Sequence, residues 1–170
     1  GIDSYYEVLY KCALLFDDAE CAAQWQQSLA AVQRHLADDS AAGLWYRRVE
    51  MNTGQVLATR FGALDAFFPG LLALSGDLRR AAALQRSSLR MWQLAGVEPE
   101  EIDYRKMQIT EGRYVLRPEI IESAYYLFAA TRDPRYRQMG LTFFDGLRRY
   151  CRTDDGYAAL AEVRTKRQAD

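Results

Sequence analysis

Apolar residues fall along this chain in two rhythms that alternate. Residues 3–16, 64–75 and 118–131 are apolar on almost every side, as a helix enclosed by neighbours must be. Residues 18–37, 77–96 and 133–150 are striped instead. Their apolar positions are Cys21, Trp25, Leu29, Val32 and Leu36, then Leu78, Ala82, Leu89 and Trp92, then Tyr136, Met139, Phe143, Leu147 and Tyr150. A stripe at helical spacing marks a helix with one face on a core and the other in water. The pattern therefore predicts inner helices and outer helices in pairs.

Each inner segment turns into its outer partner at a short break that carries an aspartate: Asp18, Asp77 and Asp133. Aspartate at such a break is a natural N-cap, because its carboxylate accepts the free amides of the first turn. The separations of 59 and 56 residues mark a weak repeat of helical hairpins, an arc in which each unit leaves a face for a neighbour. Connections in the other direction are long. Residues 38–63 are expected to hold a β-hairpin whose strands, Leu44 to Met51 and Gln55 to Phe61, flank a turn at Asn52-Thr53-Gly54. Residues 97–117 form a second excursion. Both lead into the start of an inner helix, so Asp3, Asp65 and Glu119 are expected on one face, where the positive helix ends also point. Pro69-Gly70 interrupts its segment, and that helix is expected to start near Ala66 or to kink.

Composition narrows the classes. The chain has 170 residues, 49% of them hydrophobic, enough for one compact domain. A formal charge of -1 from 22 basic and 23 acidic residues provides no long-range field, so neither nucleic acid nor a membrane surface is an expected partner. No run of eighteen apolar residues occurs. The opening Gly1-Ile2-Asp3 reads as that of an excised or processed piece. Three cysteines, Cys12, Cys21 and Cys151, define neither a zinc site nor a disulfide framework. Cys12 is expected as a small buried hydrophobe, and a Cys12–Cys21 bridge remains open. His35, the single histidine, lies near the end of an outer helix, and no catalytic triad or histidine metal site is present.

The candidate chemistry sits where Tyr114-Val-Leu-Arg-Pro-Glu-Ile-Ile-Glu-Ser123 enters an inner helix. Pro118 suits the first helical position, where an amide has no partner to lose, and the mouth of the helix carries Arg117, Glu119 and Glu122. Acids in a first turn are also favoured by the helix dipole alone, so these charges need a more specific sign before they become a site.

That sign is a resemblance. Arg117-Pro118-Glu119 with Glu122-Ser123 resembles the Arg-Pro-Glu-x-x-Glu-Ser motif of the class I α-1,2-mannosidases, glycoside hydrolase family 47. Gly1-Ile-Asp-Ser-Tyr-Tyr-Glu-Val-Leu9, Phe67-Phe-Pro-Gly-Leu-Leu-Ala-Leu-Ser-Gly-Asp77 and Gly156-Tyr-Ala-Ala-Leu160 fit the same family in order. Gly1-Ile2-Asp3 and Leu64 to Gly70 are most similar to its ER degradation-enhancing (EDEM-like) branch. The trimming enzymes tend to carry an arginine and an Asp-His pair where this chain has Gly1, Gly62 and Ala63.

The resemblance implies an all-α fold, an (α/α) barrel of seven helical hairpins, of which residues 1–170 supply a central fragment of three with a small β-hairpin insertion. It implies Asp3 and Glu119 as catalytic carboxylates, with Glu119 the base that activates water, and Arg117 and Glu122 as substrate-binding residues. The cofactor implied is calcium, held by a threonine expected beyond Asp170, with no metal ligand set inside this chain. The partner implied is a mannose-containing glycan or glycoprotein, and the setting implied is the secretory pathway (ER lumen) or an extracytoplasmic one. Inverting removal of α-1,2-linked mannose is the expected activity of the complete domain, and the isolated chain is expected to be inactive and to self-associate through exposed barrel edges. The alternative is a non-catalytic module that binds glycans or misfolded glycoproteins. A third reading is a helical scaffold whose acids only answer helix dipoles.

Overall fold

The computed structural model describes residues 4–169. Six helices are joined in three consecutive pairs: α1 (Tyr5–Phe16) with α2 (Ala19–His35), α3 (Phe68–Leu74) with α4 (Leu78–Gln93), and α5 (Glu119–Thr131) with α6 (Pro134–Tyr150). The three aspartates open the outer helices as N-caps. Asp18 accepts the amide of Cys21 at 2.8 Å, Asp77 that of Arg80 at 3.1 Å, and Asp133 that of Arg135 at 2.9 Å. Asp17 and Arg132 take left-handed backbone conformations just before the first and third of these caps. That reverses the chain within two residues.

The segment 64–75 divides where proline requires it. Leu64–Phe67 winds as a 3-10 turn, and α3 follows with Pro69 in its first turn, where the missing amide breaks no helical bond. The turn is locked to α5. Ser123 is fully buried, donates its hydroxyl to the carbonyl of Ala66 at 2.6 Å and accepts the amide of Gly70 at 2.9 Å.

The long connections form three small antiparallel sheets rather than one hairpin. β3 (Arg48–Val49) and β4 (Val56–Ala58) pair around the expected turn. The flanks part company: β1 (Ala37–Asp38) takes β2 (Trp45–Tyr46), while β5 (Arg60–Gly62) joins β6 (Glu101–Asp103) and β7 (Gln108–Glu111) in a three-stranded sheet. Aromatic burial directs this split. Trp45 stacks on Tyr104 with ring centres 5.2 Å apart and meets Phe61 edge-on at 5.3 Å, and all three are buried. β8 (Leu160–Glu162) and β9 (Arg167–Gln168) close the described chain, with Leu160 bridging to Tyr114.

Two expectations are corrected. Cys12 is not a lone buried hydrophobe: it forms a disulfide with Cys21, Cα to Cα 5.9 Å, because the tight turn at Asp17-Asp18 sets the end of α1 against the first turn of α2. Nor is α1 enclosed on all sides, since only Leu9 is buried while Val8, Leu14, Leu15 and Phe16 are exposed. Trp25 is buried against Tyr10 of the inner helix α1. Trp92 is buried too, its rings meeting Phe143 of the outer helix α6 and Tyr114.

Candidate active site

Two chain segments converge at the start of α5. The first is the loop after α4, where Gly96 adopts φ 69° and releases the chain into Val97-Glu98-Pro99-Glu100. Both backbone groups of Glu100 are held by neighbouring segments, its amide by the carbonyl of Arg113 at 2.8 Å and its carbonyl by the amide of Ala63 at 3.0 Å. The second is Tyr114 to Pro118. Leu116 sits at φ 60°, a conformation that side chains rarely adopt, and this bend turns Arg117 back toward the first loop. Tyr114 fixes the bend by donating its hydroxyl to the carbonyl of Arg117 at 3.0 Å.

The side chains then meet. Arg117 grips Glu100 in a two-pronged pair, Nη2 to Oε1 at 2.7 Å and Nε to Oε2 at 3.0 Å, a geometry in which a planar guanidinium matches a carboxylate. Both partners are partly buried. The bonds to Glu100 hold the pKa of Arg117 above its usual value, outweighing the burial that alone would lower it.

Glu119 opens α5 beside this pair. One of its carboxylate oxygens, Oε2, is buried without a hydrogen-bond partner. Desolvation is the main cause that raises its pKa. The nearby charges of Glu122 and Glu100 add to the rise, while its own backbone amide and Arg117 oppose it. Glu98 is further inside: none of its surface is exposed and neither carboxylate oxygen has a partner. Desolvation drives its pKa well above the ordinary value, with the charges of Glu119 and Glu100 next in importance. Such a setting favours the neutral acid over the carboxylate.

Glu100 also lines an adjoining open cavity of about 470 Å³, walled by Arg48, Arg60, Asp65, Glu101 and Thr110. Gly62 and Ala63 form part of that wall. Any side chain at Gly62 would stand 3.3 Å from the carbonyl of Glu100.

Of the sequence candidates, Arg117 and Glu119 are brought together. Glu122 lies one turn along α5, exposed, next to Tyr126 and near Lys11 of α1. Asp3 lies outside the described residues. Sequence reasoning misses Glu98 and Glu100, although the run Val97-Glu-Pro-Glu100 carries a readable sign: two acids bracketing a proline on the connection that enters the elaborated face. Pro118 caps α5 rather than opening it, and Glu119 is the first helical residue.

A calcium ion needs six to eight oxygen ligands. Among the described residues, the single group whose ligand atoms converge as a metal site requires is Cys12, Asp18 and Cys21, and there the disulfide occupies both sulfurs. The acids around Glu119 do not form such a set, so these residues alone do not fit a calcium shell.

The sequence model of glycosyl hydrolase family 47 matches residues 1–170. The chain belongs to this family. It is 34% identical over 172 residues to alpha-mannosidase I MNS4 of Arabidopsis thaliana, covering 100% of this chain and 27% of that protein. It is 32% identical over 166 residues to human ER degradation-enhancing alpha-mannosidase-like protein 2, covering 96% and 28%. The chain thus spans less than a third of the length of these relatives. In three dimensions it superposes on an alpha-1,2-mannosidase from Trichoderma reesei with TM-score 0.82 and 20% identity, over 95% of this chain and 40% of that one. That likeness establishes the fold, an (α/α) barrel, of which the three helical pairs are an arc.

Proposed function

We propose that this family 47 chain is the central part of one (α/α)-barrel domain that hydrolyses α-1,2-linked mannose on N-glycans with inversion. The observation that carries the reading is the setting of Glu119. Its carboxyl is half-buried, more basic than an ordinary glutamate, and flanked by the fixed Arg117–Glu100 pair. In an inverting reaction a carboxylate takes a proton from water as the water oxygen bonds to the anomeric carbon. A second carboxyl, about 6.5–9.5 Å away, gives a proton to the departing oxygen. Glu119 is assigned the first role. Asp3 is assigned as a further essential carboxylate, and Arg117 and Glu122 as groups that orient the sugar.

Calcium is proposed as the cofactor of the complete domain, its remaining ligands including a threonine outside this chain. A secretory, ER-lumenal setting is supported by the names of the ER degradation-enhancing relatives and by the Cys12–Cys21 bridge, since disulfides persist in oxidising compartments. Exposed Val8, Phe16, Tyr125 and Phe144 support packing of further hairpins, or of a second copy, against the edges of the arc.

A second reading has its own support. Several relatives are named as mannosidase-like proteins of ER degradation, and Gly62 and Ala63 stand where trimming enzymes tend to have larger polar groups. A glycan- or glycoprotein-binding module would keep the acidic pocket without turnover. Mannose release by the full-length protein, with and without a chelator and with Glu119→Gln, separates the two. Chelator-sensitive release that the substitution abolishes supports the hydrolase. Glycan binding without release supports the binding module.

A further inference from the structure

Gln85 lies in the middle of the outer helix α4, and none of its surface is exposed. Its side chain crosses from the outer layer to the inner one. Nε2 donates at 3.1 Å to the carbonyl of Ile120, the residue that follows Glu119 in the first turn of α5. That bond fixes which way the amide faces, and it leaves Oε1 buried without a partner. As a contribution to folding the arrangement is a poor one. A carbonyl inside a helix already receives the amide four residues further on, and a buried acceptor with no donor costs about as much as one hydrogen bond contributes. An apolar side chain of the same length would fill the place without that cost. Packing therefore does not account for Gln85, whereas the position it touches does.

The start of α5 has few other anchors. Pro118 precedes it with no amide to donate and no side-chain cap bond, and the chain reaches it through the left-handed bend at Leu116. Ser123 ties α5 to the carbonyl of Ala66 and the amide of Gly70, but one turn further along. Nor is the Glu119 carboxylate steadied at its inner end, where Oε2 is buried without a partner. Its aim follows the backbone of the first turn. We propose that Gln85 is a positioning residue for Glu119: its amide pins the Ile120 carbonyl and so sets the height and rotation of the turn from which the Glu119 carboxylate projects. The inference rests on the reading of Glu119 as the base. A misplacement of about 1 Å at a reacting group costs about a hundredfold in rate, so a bond that adds little stability still governs turnover.

The test uses the full-length protein with Gln85→Met, which keeps the length and removes the donor, and Gln85→His, whose ring Nε2–H restores a donor at similar reach. Phe143→Leu, in the buried core of α6, serves as a variant weakened in stability alone. Mannose release from a high-mannose N-glycan by Gln85→Met should fall about ten- to a hundredfold in kcat. Its KM should be unchanged, because Arg117 and Glu122 still meet the sugar, and its melting temperature should be retained or raised. Gln85→His should recover most of the kcat, and Phe143→Leu should melt lower with kcat intact. Hydrogen exchange should quicken in Gln85→Met at the amides of Ile121 and Glu122, which close the first turn on the carbonyl of Pro118. An active parent whose Gln85→Met variant keeps its kcat overturns this inference alone. Unchanged exchange in the first turn does the same, and so does a kcat lost equally in Phe143→Leu. A parent that releases no mannose overturns the hydrolase reading, and this inference with it. Should Gln85→Met fail to fold, Gln85→Asn decides in its place: it keeps the amide one methylene short of Ile120, and the same fall in kcat is expected.

Discussion

The amide of Gly70 donates to the hydroxyl of Ser123 at 2.9 Å, across the junction of two inner helices. This contact joins the two most recognisable stretches of the sequence, Phe67-Phe-Pro-Gly70 and Arg117-Pro-Glu-x-x-Glu-Ser123, and gives each a mechanical reason. A methyl group on Gly70 would lie 3.1 Å from the ring of Tyr126 and 3.3 Å from the Cα of Ser123, so glycine lets the helices approach. Gly70→Ala should force them apart and destabilise by about 1–3 kcal/mol. Ser123→Ala leaves a buried amide without a partner and should cost about the same. Urea midpoints of both variants check this, and a midpoint unchanged in both would mean that the junction is looser than the distances imply.

Glu119→Gln keeps shape and hydrogen bonding while removing the basic oxygen. If Glu119 activates water, turnover should fall by about 10²–10⁴ with the circular dichroism spectrum and melting temperature retained. Relief of its desolvation should make the variant at least as stable as the parent near neutral pH. A variant with full mannose release and normal stability would reassign the base.

The pairing of inner and outer helices is legible because it depends on periodicity alone, and Asp18, Asp77 and Asp133 cap where their chemistry says they should. The sheets are less legible. Local pattern puts Trp45 and Phe61 in a single hairpin, but Trp45 stacks on Tyr104 and Phe61 pairs with Ile102, each more than forty residues away, so the strands fall into different pairs. Within the site, Arg117 and Glu119 announce themselves through a motif. Glu98 is marked only by its place in the Glu-Pro-Glu run, and its burial is not legible there, since it is enclosed by a loop, a bent segment and a helix start brought together only by folding. The Cys12–Cys21 bridge is hidden for a related reason: helical periodicity places Cys12 but not the turn that aims it.

That bridge closes a short loop, so its effect is bounded. Chain-entropy reasoning for a loop of about ten residues gives roughly 2.7 kcal/mol of stabilisation, concentrated on the α1–α2 pair, whose inner helix buries only Leu9. Replacing both cysteines by serine, or reducing the protein, should loosen this hairpin first. Hydrogen exchange would register faster exchange in residues 5–35 with little change in α3 to α6. Uniform loss of protection would instead indicate that the three pairs unfold as one unit.

Buried acids also set how stability depends on pH, with opposite signs in two places. Burial pushes the Asp38 carboxyl up, but the hydroxyls of Ser40 and Tyr104, the amide of Ser40 and the guanidinium of Arg105 together pull it down to about 2. Its contribution is therefore present above the unfolded value of 3.8 and is lost as pH falls toward 2. Glu98 behaves in the reverse sense. Its pKa is raised above the unfolded value of 4.5, so the folded state holds a proton that the unfolded chain releases. Stability is complete below that value and declines as pH rises, by at most about 1.4 kcal/mol per pH unit for one proton. Glu119, raised for the same principal reason, adds in the same direction. Urea unfolding of the parent should thus show midpoints falling between pH 5 and 7. Glu98→Gln should flatten the decline and become the more stable protein at neutral pH, while leaving the acid side, governed by Asp38, unchanged. Parallel curves for parent and variant would mean that Glu98 ionises as freely in the folded protein as in the unfolded chain.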